Sequence, residues 1–225
     1  MIPVFAIVGK TDSGKTTLLE KLVAELKKRG YRVGTVKHDI HGFEVDHPGK
    51  DSWRHAQAGA DTVAISSPQK LALIKKVDHD LKPDELVGEY FQDVDIVLME
   101  GYKRQDKPKI EVFRRELSPH PLCQPQELLF LASNDELEYG VPRFALEDIK
   151  SMVDFLEERF LTARPTSETT LFVNGRSISL SSFAQRVIAG ALLGIISALK
   201  GVGKPQRVHL WLRAEDRQED DTSDR

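Results

Sequence analysis

The chain has 225 residues, with 35 Asp plus Glu against 32 Lys plus Arg and a formal net charge of -3. That balance argues against a dedicated nucleic-acid binder, which normally carries a basic excess. With 40% apolar and 30% charged residues, the composition excludes a disordered chain and fits an ordinary soluble protein.

The lone cysteine, Cys123, excludes an internal disulfide framework or a cysteine-rich zinc finger, and a reducing, cytoplasmic setting is expected. The opening Met1-Ile2-Pro3-Val4-Phe5 lacks the charged start and cleavage site of a signal peptide. The longest apolar run, Val187 to Leu199, is shorter than the roughly 20 residues of a spanning helix, so no membrane segment is expected.

Pro3 to Val8 is a near-continuous apolar run, as suits a strand buried on both faces of a parallel sheet. A glycine-bearing loop follows. Thr16 to Arg29 has Leu18, Leu19, Leu22, Val23 and Leu26 at helical spacing, with Gly30 placed as a C-cap. Residues 32 to 37 complete a strand, loop, helix, strand unit, which implies a right-handed crossover. A helix is predicted over Asp51 to Gln57, then strands at Thr62 to Ser66 and Leu71 to Lys75. Pro83 to Gln92 reads as a helix with proline in its first turn. Strands follow at Asp95 to Met99, Ile110 to Phe113 and Leu128 to Ala132, and Glu147 to Leu161 is an amphipathic helix. This alternation predicts an α/β domain over residues 1–161, with a mostly parallel sheet covered by helices on both faces.

Residues 162–170 (TARPTSETT) read as a linker. Beyond them Leu171-Phe172-Val173, an Asn174-Gly175 turn and Ser177 to Leu180 predict a hairpin. A helix capped by Ser181 runs to Lys200, and Arg207 to Leu212 closes a small β-β-α-β appendix over residues 171–213. The charged tail, residues 214–225, is expected to be disordered.

Gly9-Lys10-Thr11-Asp12-Ser13-Gly14-Lys15-Thr16 matches G-x-x-x-x-G-K-[ST] at every fixed position, between a predicted strand and a predicted helix. Such a loop bends its amides toward one phosphate, and the helix adds its positive end. The expected site therefore runs from Gly9 to Thr17, with Lys15 on the terminal phosphates and the Thr16 hydroxyl on Mg²⁺. This makes the fold of P-loop NTPase type.

Open α/β sheets bind ligands at the carboxyl ends of their strands. By that rule Glu100, at the end of Asp95-Ile96-Val97-Leu98-Met99-Glu100-Gly101, is the expected second carboxylate. It would hold Mg²⁺ through water or orient an attacking water, while Asp95, at the opposite end, is structural. Four of the seven histidines, His38, His41, His47 and His55, fall between residues 37 and 55. They are open to two readings: a transition-metal site, for which the spacing is unspecific, or a nucleotide-sensing loop in which Asp46 or Asp51 reaches Mg²⁺ and Lys37 an anion. Asp51 has the further alternative of an N-cap. No N-K-x-D guanine signature is present; Asp135, in Ser133-Asn134-Asp135, is a candidate acceptor for guanine hydrogens or else part of a polar turn.

Gly9 to Leu18, Lys37-His38, Asp46 with Pro48-Gly49-Lys50-Asp51-Ser52, Ala58-Gly59-Ala60 and Glu100-Gly101-Tyr102-Lys103 occur in an order that closely resembles the molybdopterin-guanine dinucleotide biosynthesis protein B (MobB) family. The resemblance covers about residues 2–161. It implies a GTP-binding, weakly hydrolysing adaptor that works as a homodimer and assists attachment of GMP to molybdopterin. The implied partners are the molybdenum cofactor guanylyltransferase and a molybdenum-insertion protein. Lys10 stands either as a solvated loop lysine or, as the resemblance to dimeric P-loop proteins suggests, as a lysine reaching phosphate across a subunit boundary. The segment after Pro165 departs from the shortest relatives. Two other classes remain open: a P-loop small-molecule kinase, for which Arg104, Arg114 and Arg115 could supply charge but no lid stands out, and a nucleotide-dependent metal chaperone.

Overall fold

The computed structural model describes residues 2–161, 169, 171–173, 176–203, 205, 208, 210 and 212. It divides into two compact units, Met1–Ile178 and Ser179–Arg225.

The first unit is built on six parallel strands: β1 (Val4–Gly9), β2 (Val33–Lys37), β5 (Ile96–Glu100), β6 (Lys109–Val112), β7 (Leu128–Ala132) and β8 (Arg143–Phe144), in the order β2-β5-β1-β6-β7-β8. β1 is buried throughout. Its side chains alternate between two cores, as the two-residue period of a strand requires. Phe5 and Ile7 pack with Leu18, Leu22 and Leu26 of helix α1 (Lys15–Lys28) and with Met152, Val153 and Leu156 of helix α4 (Ile149–Leu156). Ala6 and Val8 face Phe113, Cys123 and Leu131 on the other side. On that side Val97 and Met99 also meet Val87 of helix α3 (Pro83–Tyr90). Leu22 and Leu26 are fully buried, and each such side chain contributes about 1.5–3 kcal/mol.

Local signals end the helices where expected. The Tyr31 amide donates to the Leu26 carbonyl and the Gly30 amide to the Lys27 carbonyl, which is the paired closure of a glycine-terminated helix. α3 begins at Pro83, with the Lys82 amide donating to the Glu85 carboxylate at 2.7 Å. Asp95 is structural, as anticipated: its Oδ2 accepts from the Arg32 amide at 2.7 Å.

Three departures have physical causes. First, β3 (Thr62–Ser67) and β4 (Lys70–Lys75) do not join the parallel sheet but form a separate antiparallel hairpin. The connecting turn is too short for a parallel crossover, and the Ser67 hydroxyl accepts the Lys70 amide at 3.0 Å across it. Second, the predicted helix Glu147 to Leu161 is α-helical only over Ile149–Leu156 and widens to a π-turn at Glu157–Leu161. Asp148 caps the start by accepting the Ser151 amide, while Glu147 pairs with Lys21 at 2.6 Å. The wider turn carries Phe160 edge-on to Phe5 and buries Leu161. Third, Asp51 is not a cap. It is the first residue of helix α2 (Asp51–Gln57), the N-cap position is Lys50, whose side chain makes no cap, and the Asp51 carboxylate lies 3.7 Å from Arg54.

Strands β9 (Leu171–Val173) and β10 (Arg176–Ile178) pair as an antiparallel hairpin and fall within the first unit. The second unit holds helix α5 (Ser182–Ser197), where the Ser181 hydroxyl accepts the Ala184 amide at 3.2 Å. The Asn174-Gly175 turn and nearly all of the linker and tail lie outside the described residues, as does half of the Arg207 to Leu212 segment; Val208, Leu210 and Leu212 are described without regular structure. Among the described residues no helix is long and apolar enough to cross a membrane.

Candidate functional site

The chain leaves β1 toward β2 on one side, while β6 flanks β1 on the other. This reversal opens a crevice at the carboxyl ends of the strands, the place where open α/β sheets take ligands. β1, β2 and β5 end there at Gly9, Lys37 and Glu100, with Lys37 and Glu100 as register partners.

Gly9 leaves the strand with φ +152°. A Cβ added there would lie 2.6 Å from both the Ser13 hydroxyl and the Val112 carbonyl, so the loop folds back tightly over its own strand. Asp12 takes φ +60° and Gly14 φ +98°, and α1 starts at Lys15. Ser13 is 1% exposed, and among the described residues its hydroxyl has no hydrogen-bond partner. Arg114, just beyond β6, braces the loop from outside: its Nε donates to the Ser13 carbonyl at 2.9 Å.

Lys15 Nζ donates to the Lys10 carbonyl at 2.7 Å. Burial lowers its pKa, with a further push from the neighbouring Lys103 charge and a smaller one from Lys37, against partial support from Glu100 and Asp12. Thr16 Oγ1 donates into the Glu100 carboxylate, 3.1 Å from Oε1 and 3.0 Å from Oε2. Lys37 Nζ stands 3.4 Å from Glu100 Oε1. The result is an open cavity of about 490 Å³ lined by Thr11, Asp12, Gly14, Lys15, Thr16, Thr17, Lys37 and Glu100.

All eight lining residues were anticipated, and Gly9 and Ser13 shape the loop beneath them. Other candidates are not brought in. Lys10 offers its carbonyl, and its exposed side chain does not line the cavity. Asp46 does not line it either: Oδ1 accepts the His47 amide, and Oδ2 is buried without a partner among the described residues. Asp135 Oδ2 accepts the Arg115 amide at 2.8 Å, away from the cavity. A short carboxylate beside main-chain amides binds those first. The histidines do not converge: among the described residues no group of three His, Cys, Asp or Glu could hold a metal ion.

Two contributors had little local signal. Arg114 was visible as a charge, but its seat on Ser13, 101 residues away, depends on strand order. Tyr102 stands in the sequence within Glu100-Gly101-Tyr102-Lys103, but its φ of +51° has no local signal beyond the glycine before it.

Chemically, the site offers helix and loop amides, two ammonium groups, a hydroxyl and a carboxylate around one crevice. That set suits a polyanion accompanied by a hard cation.

A glycine loop joining the first strand and helix of a parallel sheet, with a carboxylate at the end of the neighbouring strand, defines a P-loop α/β protein. Residues 4–134 match the family model described as molybdopterin guanine dinucleotide synthesis protein B, and the chain belongs to that family. The molybdopterin-guanine dinucleotide biosynthesis adapter protein of Haemophilus influenzae is 37% identical over 158 residues, covering 69% of this chain and 88% of that protein. Its counterpart in Escherichia coli is 34% identical over 163 residues, covering 70% and 93%. A crystal structure of molybdopterin-guanine biosynthesis protein B superposes with a TM-score of 0.53 at 29% identity, over 69% of this chain and 97% of that one.

Proposed function

We propose that this protein is an adaptor in molybdopterin guanine dinucleotide biosynthesis that binds GTP with Mg²⁺ and hydrolyses it slowly. The observation that carries this reading is the convergence of Lys15, Thr16, Lys37 and Glu100 on one open cavity at the carboxyl edge of the sheet.

The residues present fit the ligand. Lys15 is an ammonium disfavoured by burial and by Lys103, and an anionic phosphate is the group that relieves it. The loop would hold the phosphates through its amides, with Lys15 and Lys37 as counter-charges. Thr16 and Glu100, already paired through hydroxyl and carboxylate, would hold Mg²⁺, which supplies charge neutralisation when bound. Glu100 is also the group able to orient a water. Among the described residues no arginine and no glutamine lines the cavity, and intrinsic turnover is expected to fall far below the roughly 10 s⁻¹ of a typical enzyme.

The adaptor assignment follows the family and the names of its relatives. The expected contacts are the guanylyltransferase of that pathway, the molybdenum-insertion protein and molybdopterin, with the chain acting as a homodimer in the cytoplasm.

Calorimetry with GTP, ATP and molybdopterin, each with and without Mg²⁺, tests this reading. Tight Mg²⁺-dependent binding of GTP, lost in Lys15→Ala and Thr16→Ala, supports it. Equal affinity for GTP and ATP removes the base preference, and unchanged affinity in both variants removes the site.

A further inference from the structure

Beneath the cavity, the strand ends that carry Lys37 and Glu100 run on into His38 and Gly101-Tyr102, which lock together. The His38 amide donates to the Glu100 carbonyl at 3.0 Å. The His38 imidazole stacks on the Tyr102 ring, with centroids 4.2 Å apart and planes 25° apart. Both rings also grip one short segment: His38 Nε2 lies 3.0 Å from each oxygen of Asp80, and the Tyr102 hydroxyl donates to the Leu81 carbonyl at 3.0 Å.

This contact is held against backbone cost. Tyr102 sits at φ +51° and is 6% exposed; among the described residues the one other non-glycine with positive φ is Asp12, in the phosphate loop. A bulky residue in that region costs about 1–3 kcal/mol and persists only where its surroundings over-determine it. Gly101, at φ +103°, is crowded and strained for any side chain: a Cβ would come within 3.1 Å of the His38 Cβ and 3.3 Å of its carbonyl oxygen. The strain therefore falls directly after the carboxylate, between two side chains that do not themselves line the cavity.

We propose that His38 and Tyr102 are positioning residues for Glu100. By fixing the main chain on both sides of the β2 and β5 ends, they hold the Glu100 carboxylate on the Thr16 hydroxyl and the Lys37 ammonium, in the place from which it would serve Mg²⁺. The inference rests on the Mg²⁺-nucleotide reading of the site and adds the groups that aim its carboxylate.

The test measures binding of a fluorescent GTP analogue to the full chain, in EDTA and across a Mg²⁺ titration, for wild type, His38→Ala, Tyr102→Phe and Tyr102→Ala, with folding checked by circular dichroism. In EDTA the variants bind as wild type does. The Mg²⁺ concentration for half-maximal tightening rises roughly tenfold to 100-fold in His38→Ala and Tyr102→Ala, the range seen when a group orienting a metal-binding side chain is removed. Tyr102→Phe, which keeps the stack and loses the Leu81 bond, shifts it less. If Tyr102→Ala does not fold, His38→Ala and Tyr102→Phe decide the question.

An unaltered Mg²⁺ requirement, or an equal loss of affinity with and without Mg²⁺, overturns the positioning role while leaving the site assignment standing. A wild-type chain with no Mg²⁺-dependent nucleotide binding overturns both.

Discussion

Thr16 and Glu100 are 84 residues apart in the chain, yet the threonine hydroxyl lies 3.0 and 3.1 Å from the two oxygens of one carboxylate. β1 and β5 are direct neighbours in the sheet, with Ile7 opposite Glu100. The loop that leaves β1 therefore starts α1 directly above the end of β5. A hydroxyl on a carboxylate at a helix start is half of a binding site for a hard cation.

Glu100→Gln keeps an acceptor for Thr16 but removes the charge. Its cost to folding should stay below about 1 kcal/mol, because the pair it breaks with Lys37 has a largely exposed partner. The Mg²⁺-dependent part of nucleotide affinity should vanish. Urea unfolding measures the first effect and a Mg²⁺ titration the second; a large stability loss with intact Mg²⁺ dependence contradicts the assignment.

Gly9→Ala should damage the loop and the fold together. The new methyl would sit 2.6 Å from the Ser13 hydroxyl and 2.6 Å from the Val112 carbonyl at φ +152°, and the carbonyl belongs to a paired strand that cannot move aside. Backbone strain and overpacking add to about 2–6 kcal/mol. Thermal denaturation checks this. A stability equal to wild type means that the loop leaves β1 by a different path.

Acid stability should depend on Arg29. Its guanidinium donates to Glu25 at 2.9 Å, Asp154 at 2.6 Å and Glu157 at 2.7 Å, and the Tyr31 hydroxyl donates to Glu157 at 2.7 Å. The Tyr31 bond and then the Arg29 bond lower the Glu157 pKa. A folded-state value below the unfolded one means that the native protein binds fewer protons. The contribution is therefore complete above the unfolded value of 4.5 and is lost as pH falls through the lower folded value. Arg29→Ala should cost about 1.5–3 kcal/mol near neutral pH and flatten the decline in stability below pH 4.5. Chemical denaturation across the acid range gives both numbers.

Cys123 should be inert in the native state. It is 6% exposed, and burial, reinforced by the Glu111 and Glu127 charges, pushes its thiol up to about 12. Alkylation at mildly basic pH should run more than about 100-fold slower than for a free thiol, because little thiolate is present. Full reactivity should return in denaturant, and rapid modification of the folded protein contradicts the burial.

Much of this molecule is legible as sequence because the responsible physics is local. A buried parallel strand must be apolar along its whole length, as Val4 to Val8 is, and a helix ended by the Leu26 and Lys27 carbonyls needs its glycine at Gly30. The phosphate loop needs Gly9 where no side chain fits. The rule that ligands gather at carboxyl strand ends separates Glu100 from Asp95 without coordinates. Alternation cannot reveal whether a strand joins the main sheet, so β3 and β4 read like their neighbours and yet stand apart as a hairpin. Asp46 and Asp135 have the right chemistry, but nearby amides claim an oxygen of each.

The order of residues alone determined the loop, its helix and the acidic strand end, since each is decided by groups a few positions apart. The seat of Arg114 on Ser13, the grip of His38 and Tyr102 around Glu100, and the closing of Thr16 on that same carboxylate were decided by tertiary structure. Those contacts exist because β5 and β6 take their places on either side of β1, and a strand's place in a sheet is set by how the whole core packs.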